Sequence, residues 1–155
     1  MSRLLYVEGT VDRTCTQSHI TYSFHIPQPT ETIRIHFSYT PKLLEDQEQA
    51  REIIEESMSK YGYDEPGHSS DLWKKYIPLQ NLLTLSVDDP LRHRGNAHRP
   101  EMQQEHWLGS SAASPGFLAG DHPPGMWRIT VSLHAVVTET LAYQIHVLGE
   151  EAAYA

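Results

Sequence analysis

The sequence has one cysteine, Cys15, so no disulfide can close within the chain. It also lacks long apolar runs. The first one stops at Glu8, short of a signal-peptide core. None approaches the roughly 20 residues that span a bilayer. Basic residues are scarce: 12 Lys plus Arg against 20 Asp plus Glu give a net charge of −8. They are scattered rather than grouped for phosphate contact, which excludes a general nucleic-acid binder. Signatures of catalysis are missing too. There is no Gly-x-Ser-x-Gly elbow, no Walker A loop, no Gly-x-Gly-x-x-Gly, no His-Glu-x-x-His and no His-x-His pair. Cys15 lies between Thr14 and Thr16, the setting of a small half-buried thiol. These absences predict a cytoplasmic protein with no membrane segment, no nucleic-acid partner and no cofactor.

What is present is alternation. The chain of 155 residues has the length of one domain, and such a length buries roughly two thirds of the unfolded surface. In Ile20 to Ile26, apolar residues Ile20, Tyr22, Phe24 and Ile26 alternate with Thr21, Ser23 and His25. From Thr32 to Tyr39, Ile33, Ile35, Phe37 and Tyr39 alternate with Arg34, His36 and Ser38. Leu83 to Asp88, Trp127 to Ala135 and Leu141 to Val147 repeat the pattern. Period two places one face in a core and the other in water. Residues near Leu5, Val7 and Val11, and those from Glu105 to Leu108, add further strands. About seven one-sided strands predict an all-β fold, a two-sheet antiparallel β-sandwich of jelly-roll-like form. The runs at 20–26 and 32–39 read as antiparallel neighbours.

One stretch departs from period two. Leu43, Leu44, Gln47, Ala50, Ile54, Met58 and Tyr61 form a helical stripe, with Gly62 as its stop. This predicts an α-helical insertion around residues 42–62. Residues 63–70 read as a loop, and Asp71 to Tyr76 as one more helical turn. The whole insertion, 41–80, interrupts a single domain spanning 1–155. A second irregular region, Pro90 to Pro124, reads as a long loop region, where ligand sites concentrate.

Ten histidines are the compositional anomaly. Imidazole titrates near neutral pH and ligates metals. His93, His98, His106 and His122 are the metal candidates, with Asp88, Asp89 or Asp121 as carboxylate partners. His25, His36, His134 and His146 fall on the polar sides of their strands, where with Arg34 and Arg128 they would make a patch that gains charge as pH falls. Arg92, His93, Arg94, His98 and Arg99 concentrate positive charge and suit a small anionic ligand. The same cluster would alternatively pair with Asp88, Asp89, Glu101 and Glu105 inside the domain. Trp107 and His122 complete the candidate ligand surface. Trp73 and Trp107 are also candidates for stacking on a sugar ring, whereas Trp127, on the apolar side of its strand, belongs to the core.

The second half also carries a set of short motifs. Leu83 to Val87 leads into Asp88-Asp89-Pro90. Arg94-Gly95 follows, then Ala113-Ser114-Pro115-Gly116-Phe117, then Gly125-Met126-Trp127-Arg128-Ile129 and Tyr143-Gln144-Ile145. This succession resembles the N-terminal accessory β-sandwich of PHP-type metallohydrolases of the CehA/McbA group, over residues 18 to 148. Ser114 stands where that module commonly has Thr, and Ala119 where a second Pro would precede Gly120. The resemblance implies a sandwich attached to, or serving, a metal-dependent hydrolase. The family's metal ligands belong to a catalytic domain outside the matched stretch, so none is carried over. The motifs also have a fold reading: Asp-Pro ends a strand and Pro-Gly turns the chain.

Three functions follow. The first is a noncatalytic binding or interaction module, accessory to a PHP-type hydrolase as its protein partner. The second is a small metal-dependent hydrolase or phosphoesterase using the loop histidines. The third is a carbohydrate-binding module, by analogy of fold alone.

Overall fold

The computed structural model describes residues 1–60 and 72–151. Tyr61, the Gly62 stop, the 63–70 loop and Asp71 lie outside the described residues. The alternating runs become strands, and their apolar sides meet in one core. Strands β1 (Ser2–Asp12), β10 (Thr140–Glu150), β3 (Thr32–Thr40) and β8 (Gln103–Leu108) form one antiparallel sheet in that spatial order. Strands β2 (Ser18–Ile26), β9 (Gly125–Ala135), β6 (Leu82–Asp88) and β7 (His93–Ala97) form the other. The two nested orders are those of a jelly roll. Ile33, Ile35, Val147 and Ile145 of the first sheet face Leu83, Trp127, Ile129 and Val131 of the second, and each of these is 0% exposed.

Two expectations need correction. The runs at 20–26 and 32–39 are not neighbours. β2 pairs with β9, with Tyr22 opposite Ile129, and β3 lies between β10 and β8 in the opposite sheet. Alternation reveals which side of a strand is buried, not which strand lies beside it. The five-residue link 27–31, stiffened by Pro27 and Pro29, crosses between sheets instead of turning back within one. The second correction is β7. Its sequence, His-Arg-Gly-Asn-Ala, has no apolar alternation and reads as loop, yet it pairs with β6 through Leu85–Ala97, Ser86–Asn96 and Val87–Gly95.

The helical insertion is present, with a later start. Leu43–Leu44 (β4) leaves the stripe to pair with Leu79–Gln80 (β5). Helix α1 then runs Gln47–Lys60. Asp46 caps it, its Oδ1 accepting the Gln49 amide at 3.1 Å. Ala50 and Ile54 are buried, and a 3-10 turn at Leu72–Tyr76 carries Trp73 inward. Arg51 lies over the Trp73 ring at 5.5 Å. Asn81, 0% exposed, fastens the insertion to the sandwich. Its Nδ2 donates to the Pro41 carbonyl and to Thr138 Oγ1, both at 2.9 Å, and its Oδ1 accepts the Val137 amide at 2.7 Å.

The insertion occupies one end of the sandwich. Register places 27–31, 89–92, 109–124 and Glu151 at the other: Ile26 faces Gly125, Ile33 faces Leu108, and Thr32 faces Glu150. We call this the loop end.

Ile35 and Ile129 lie on opposite sheets with no exposed surface. Ile35→Asp or Ile129→Asp would place an unpaired carboxylate in the core at a cost of several kcal/mol. Either variant is expected to lose the cooperative thermal transition. Melting within a few degrees of the parent would contradict the core described here.

Candidate functional site: the loop end

The loop end is organised by Arg94. The residue sits on β7, is 0% exposed, and makes five hydrogen bonds. Nη1 donates to Asp89 Oδ2 at 3.1 Å and to the Asp121 carbonyl at 2.8 Å. Nε and Nη2 donate to the Leu118 carbonyl at 3.2 and 3.0 Å, and Nη2 also reaches the Gly120 carbonyl at 3.4 Å. The guanidinium lies 5.4 Å from the Trp127 ring centroid. A planar fork of five donors can bind several carbonyls from one loop at once, which an ammonium cannot match. Thus a buried cation shapes residues 118–121 from beneath.

Asp89 is the counter-charge, 5% exposed. Its Oδ1 accepts the amides of Leu91 and Arg92 at 2.6 and 2.7 Å, which closes the β6–β7 turn. Burial pushes its carboxyl upward, but those amides and the Arg94 guanidinium outweigh it and hold the group below the usual carboxylate range.

Two glycines serve the same packing. Gly95 has φ +119 and Gly116 has φ +92. A Cβ on Gly95 would stand 2.3 Å from the Gly116 carbonyl oxygen, and one on Gly116 would stand 2.3 Å from that of Asn96. The loop therefore presses directly on β7, with the Asn96 amide donating to the Gly116 carbonyl at 3.1 Å. Ser114 Oγ accepts the Trp107 amide at 3.0 Å. Trp127 Nε1 donates to the Pro123 carbonyl at 2.8 Å.

The sequence-adjacent cluster of Arg92, His93, Arg94, His98 and Arg99 is not one surface. Arg94 is wholly internal. Arg92 is exposed and donates to the Ala119 carbonyl at 3.2 Å. His93 Nδ1 lies 2.9 Å from Asp88 Oδ1 on the outer face of β6–β7. An extended chain advances about 3.3 Å per residue, so Arg99 emerges roughly 20 Å from Arg92, at the insertion end. The internal-pairing alternative holds for Asp88 and Asp89. Glu105 instead lies 3.8 Å from Arg34 and 3.9 Å from His36.

The four metal candidates are also separated. His93 faces outward beside Asp88. His98 meets His134 edge-on, ring centroids 5.1 Å apart, on the outer face of the second sheet. His106 points into the core, its Nε2 donating to Gln104 Oε1 at 2.8 Å and its ring 5.0 Å from Phe117. His122 lies at the loop end, 4% exposed. Among the described residues no group of three His, Cys, Asp or Glu side chains is placed to hold a metal ion. The histidine patch divides between sheets as well. His36 and His146 are 6.3 Å apart on the first sheet, whereas His25 and His134 belong to the second. Trp73 and Trp127 are buried, and Trp107 is half-buried.

Two features of this end went unread in the sequence. One is a cleft of about 660 Å³ between residues 28–31 and 121–124, with His122 in its wall. The other is an exposed apolar rim. Leu91 is 84% exposed, Leu118 50% and Met126 52%. The rim's two loops touch: Arg92 bonds Ala119, and the Pro90 ring lies against Gly125.

No protein-family model matches the chain, and no curated protein matches it. Among solved structures, a protein from Sulfurospirillum deleyianum aligns over 93% of this chain and 98% of its own, at 6% identity and a TM-score of 0.32. A likeness at that level carries no argument.

Removing Arg94 would leave Asp89 buried and uncompensated and would strip the carbonyls of Leu118, Gly120 and Asp121 of its donors. Arg94→Ala is expected to cost about 3–5 kcal/mol, and Arg94→Lys should recover only part of it. Denaturant melts check this; a loss below about 1 kcal/mol for Arg94→Ala, the range of a surface pair, would contradict the buried arrangement.

A pH dependence also follows. Burial lowers the pKa of both His106 and His122. Below the ordinary imidazole value, about 6.5, the unfolded chain takes up protons that the folded chain refuses. Stability is therefore full above about pH 6.5 and falls as pH drops through the depressed folded values. Thermal melts between pH 7.5 and 5 should show a falling Tm, with a shallower slope in His106→Phe. A flat profile would contradict the burial of these rings.

Proposed function

We propose that this chain is a noncatalytic interaction module serving a PHP-type metallohydrolase. The observation that carries the reading is the apolar rim on a stiff support. Leu91, Leu118 and Met126 stand in water, while the loops beneath them are pinned by Arg94, Asp89 and paired backbone. Apolar side chains held in a fixed arrangement at an exposed rim are features of a docking surface. The resemblance of residues 18 to 148 to the accessory sandwich of CehA/McbA-type enzymes supplies the partner's class. Dispersal of the candidate metal ligands favours this reading over a self-contained hydrolase. A small anion would find no cradle in the basic cluster, because Arg94 is internal and His93 lies against Asp88.

The test is direct. The protein is mixed with a PHP-type catalytic domain from the same genome and followed by calorimetry and size-exclusion chromatography. A complex is expected, weakened about tenfold or more by Leu91→Asp with Leu118→Asp, with Tm within a few degrees of the parent. Absence of a complex at high micromolar concentration would defeat the proposal. So would phosphodiesterase turnover by the protein alone, with manganese or zinc, that disappears in His93→Ala with His98→Ala.

A further inference from the structure

The cleft beside the rim has a one-sided chemistry. Its wall carries three exposed carboxylates, Glu31, Asp121 and Glu151, and no lysine or arginine. One of the two donors of the wall's side-chain amide is engaged, Gln28 Nε2 bonding Glu151 Oε1 at 2.7 Å. Thr30 Oγ1 likewise donates to the Gln28 carbonyl at 3.1 Å.

His122 is an independent second feature. It forms part of the cleft wall and is 4% exposed. Its Nδ1 donates to the Thr30 carbonyl at 2.9 Å. That bond fixes the tautomer and leaves Nε2 as an acceptor. Nε2 is buried and has no hydrogen-bond partner. A buried acceptor without a donor is costly and calls for one. Burial first, and the Arg94 charge after the opposing Thr30 bond, keep the imidazole below its usual pKa, so the ring stays neutral near pH 7.

The remaining wall is apolar and rigid, built from Pro29, Pro123 and Pro124. Exposed carboxylates and proline surface, with the buried, unpartnered His122 acceptor set into the same wall, together fit a group with an apolar stem and a head that only donates. Lysine and arginine side chains have that construction. We propose that the cleft receives a lysine or arginine side chain from the protein that docks on the loop end. The inference rests on the interaction-module reading and names the chemistry its partner brings. The net charge of −8 favours the encounter.

The test needs no hydrolase, so its failure is distinct from failure of the docking experiment. Blocked tripeptides Ac-Gly-Arg-Gly-NH2 and Ac-Gly-Lys-Gly-NH2 are titrated into nitrogen-15-labelled protein. The glutamine and glutamate analogues serve as controls, and spermidine as a free polyamine. The basic peptides should bind, with amide shifts centred on Thr30, Asp121 and His122 and a shift of the His122 Nε2 resonance. Asp121→Asn with Glu31→Gln should weaken binding about tenfold with Tm retained; Glu31→Gln alone serves if the double variant folds poorly. Equal response to the glutamine peptide would overturn the proposal, as would shifts elsewhere or unaltered affinity in the variants. Tighter binding of spermidine than of either basic peptide would replace the partner side chain with a free polyamine.

Discussion

A guanidinium with no access to water is the constraint around which the loop end is built. Burying a cation is unfavourable unless its charge and all its donors are met. Arg94 meets the charge with Asp89 and the donors with carbonyls of Leu118, Gly120 and Asp121. Those carbonyls belong to a loop with no strand ladder to satisfy them, so each side supplies what the other lacks. Asp89 in turn receives the amides of Leu91 and Arg92. One ion pair thereby closes the β6–β7 turn, presses 109–124 against β7, and leaves a flat cation over Trp127 at the edge of the core.

The short motifs of the second half become intelligible in these terms. Asp-Asp-Pro, Arg-Gly, Ser-Pro-Gly-Phe and Gly-x-Trp look like separate signatures along the sequence, yet they are parts of one contact. Asp89 and Arg94 are the charges. Gly95 and Gly116 permit the approach that brings loop carbonyls to the guanidinium. Phe117 and Trp127 seal it from the core side. A motif of this kind reports a fold requirement, so it points to an architecture rather than to a reaction.

The sandwich was legible wherever side chains alternated. Ile33 to Tyr39 and Trp127 to Leu133 carry their burial pattern in plain view, because one face meets a core and the other water. Strand partners were not legible, since β2 and β3 alternate identically whether they share a sheet or face each other. β7 was invisible because its inward positions hold Arg94 and Gly95 rather than apolar side chains. The same two residues explain why the basic cluster is not one surface. Five basic residues close in sequence suggest one patch only if the chain is coiled; extended as a strand, it distributes them along the length of the sheet, with one turned inward. Period-two reasoning applied to His93–Ala97 would have placed Arg94 and His93 on opposite faces. His122 and the 90–124 region were marked in the sequence, but the cleft itself was not, since its walls come from residues about 90 positions apart that are brought together by the β2–β9 pairing and the His122–Thr30 bond.

Groups that hold the fold and groups that would meet a partner therefore lie on the same residues. The Asp121 carbonyl accepts from Arg94 and belongs to the fold, while its carboxylate is exposed and belongs to the cleft. His122 divides similarly: Nδ1 holds the 27–31 link, and Nε2 remains unpaired. A loop whose carbonyls are fixed by an internal cation cannot readily swing its outward groups away from one another. The Asp121 backbone and the His122 imidazole are held in place, and a preformed site lowers the ordering cost of binding. The buried charge that looks like an expense to the fold is also what would make the loop end a preorganised surface.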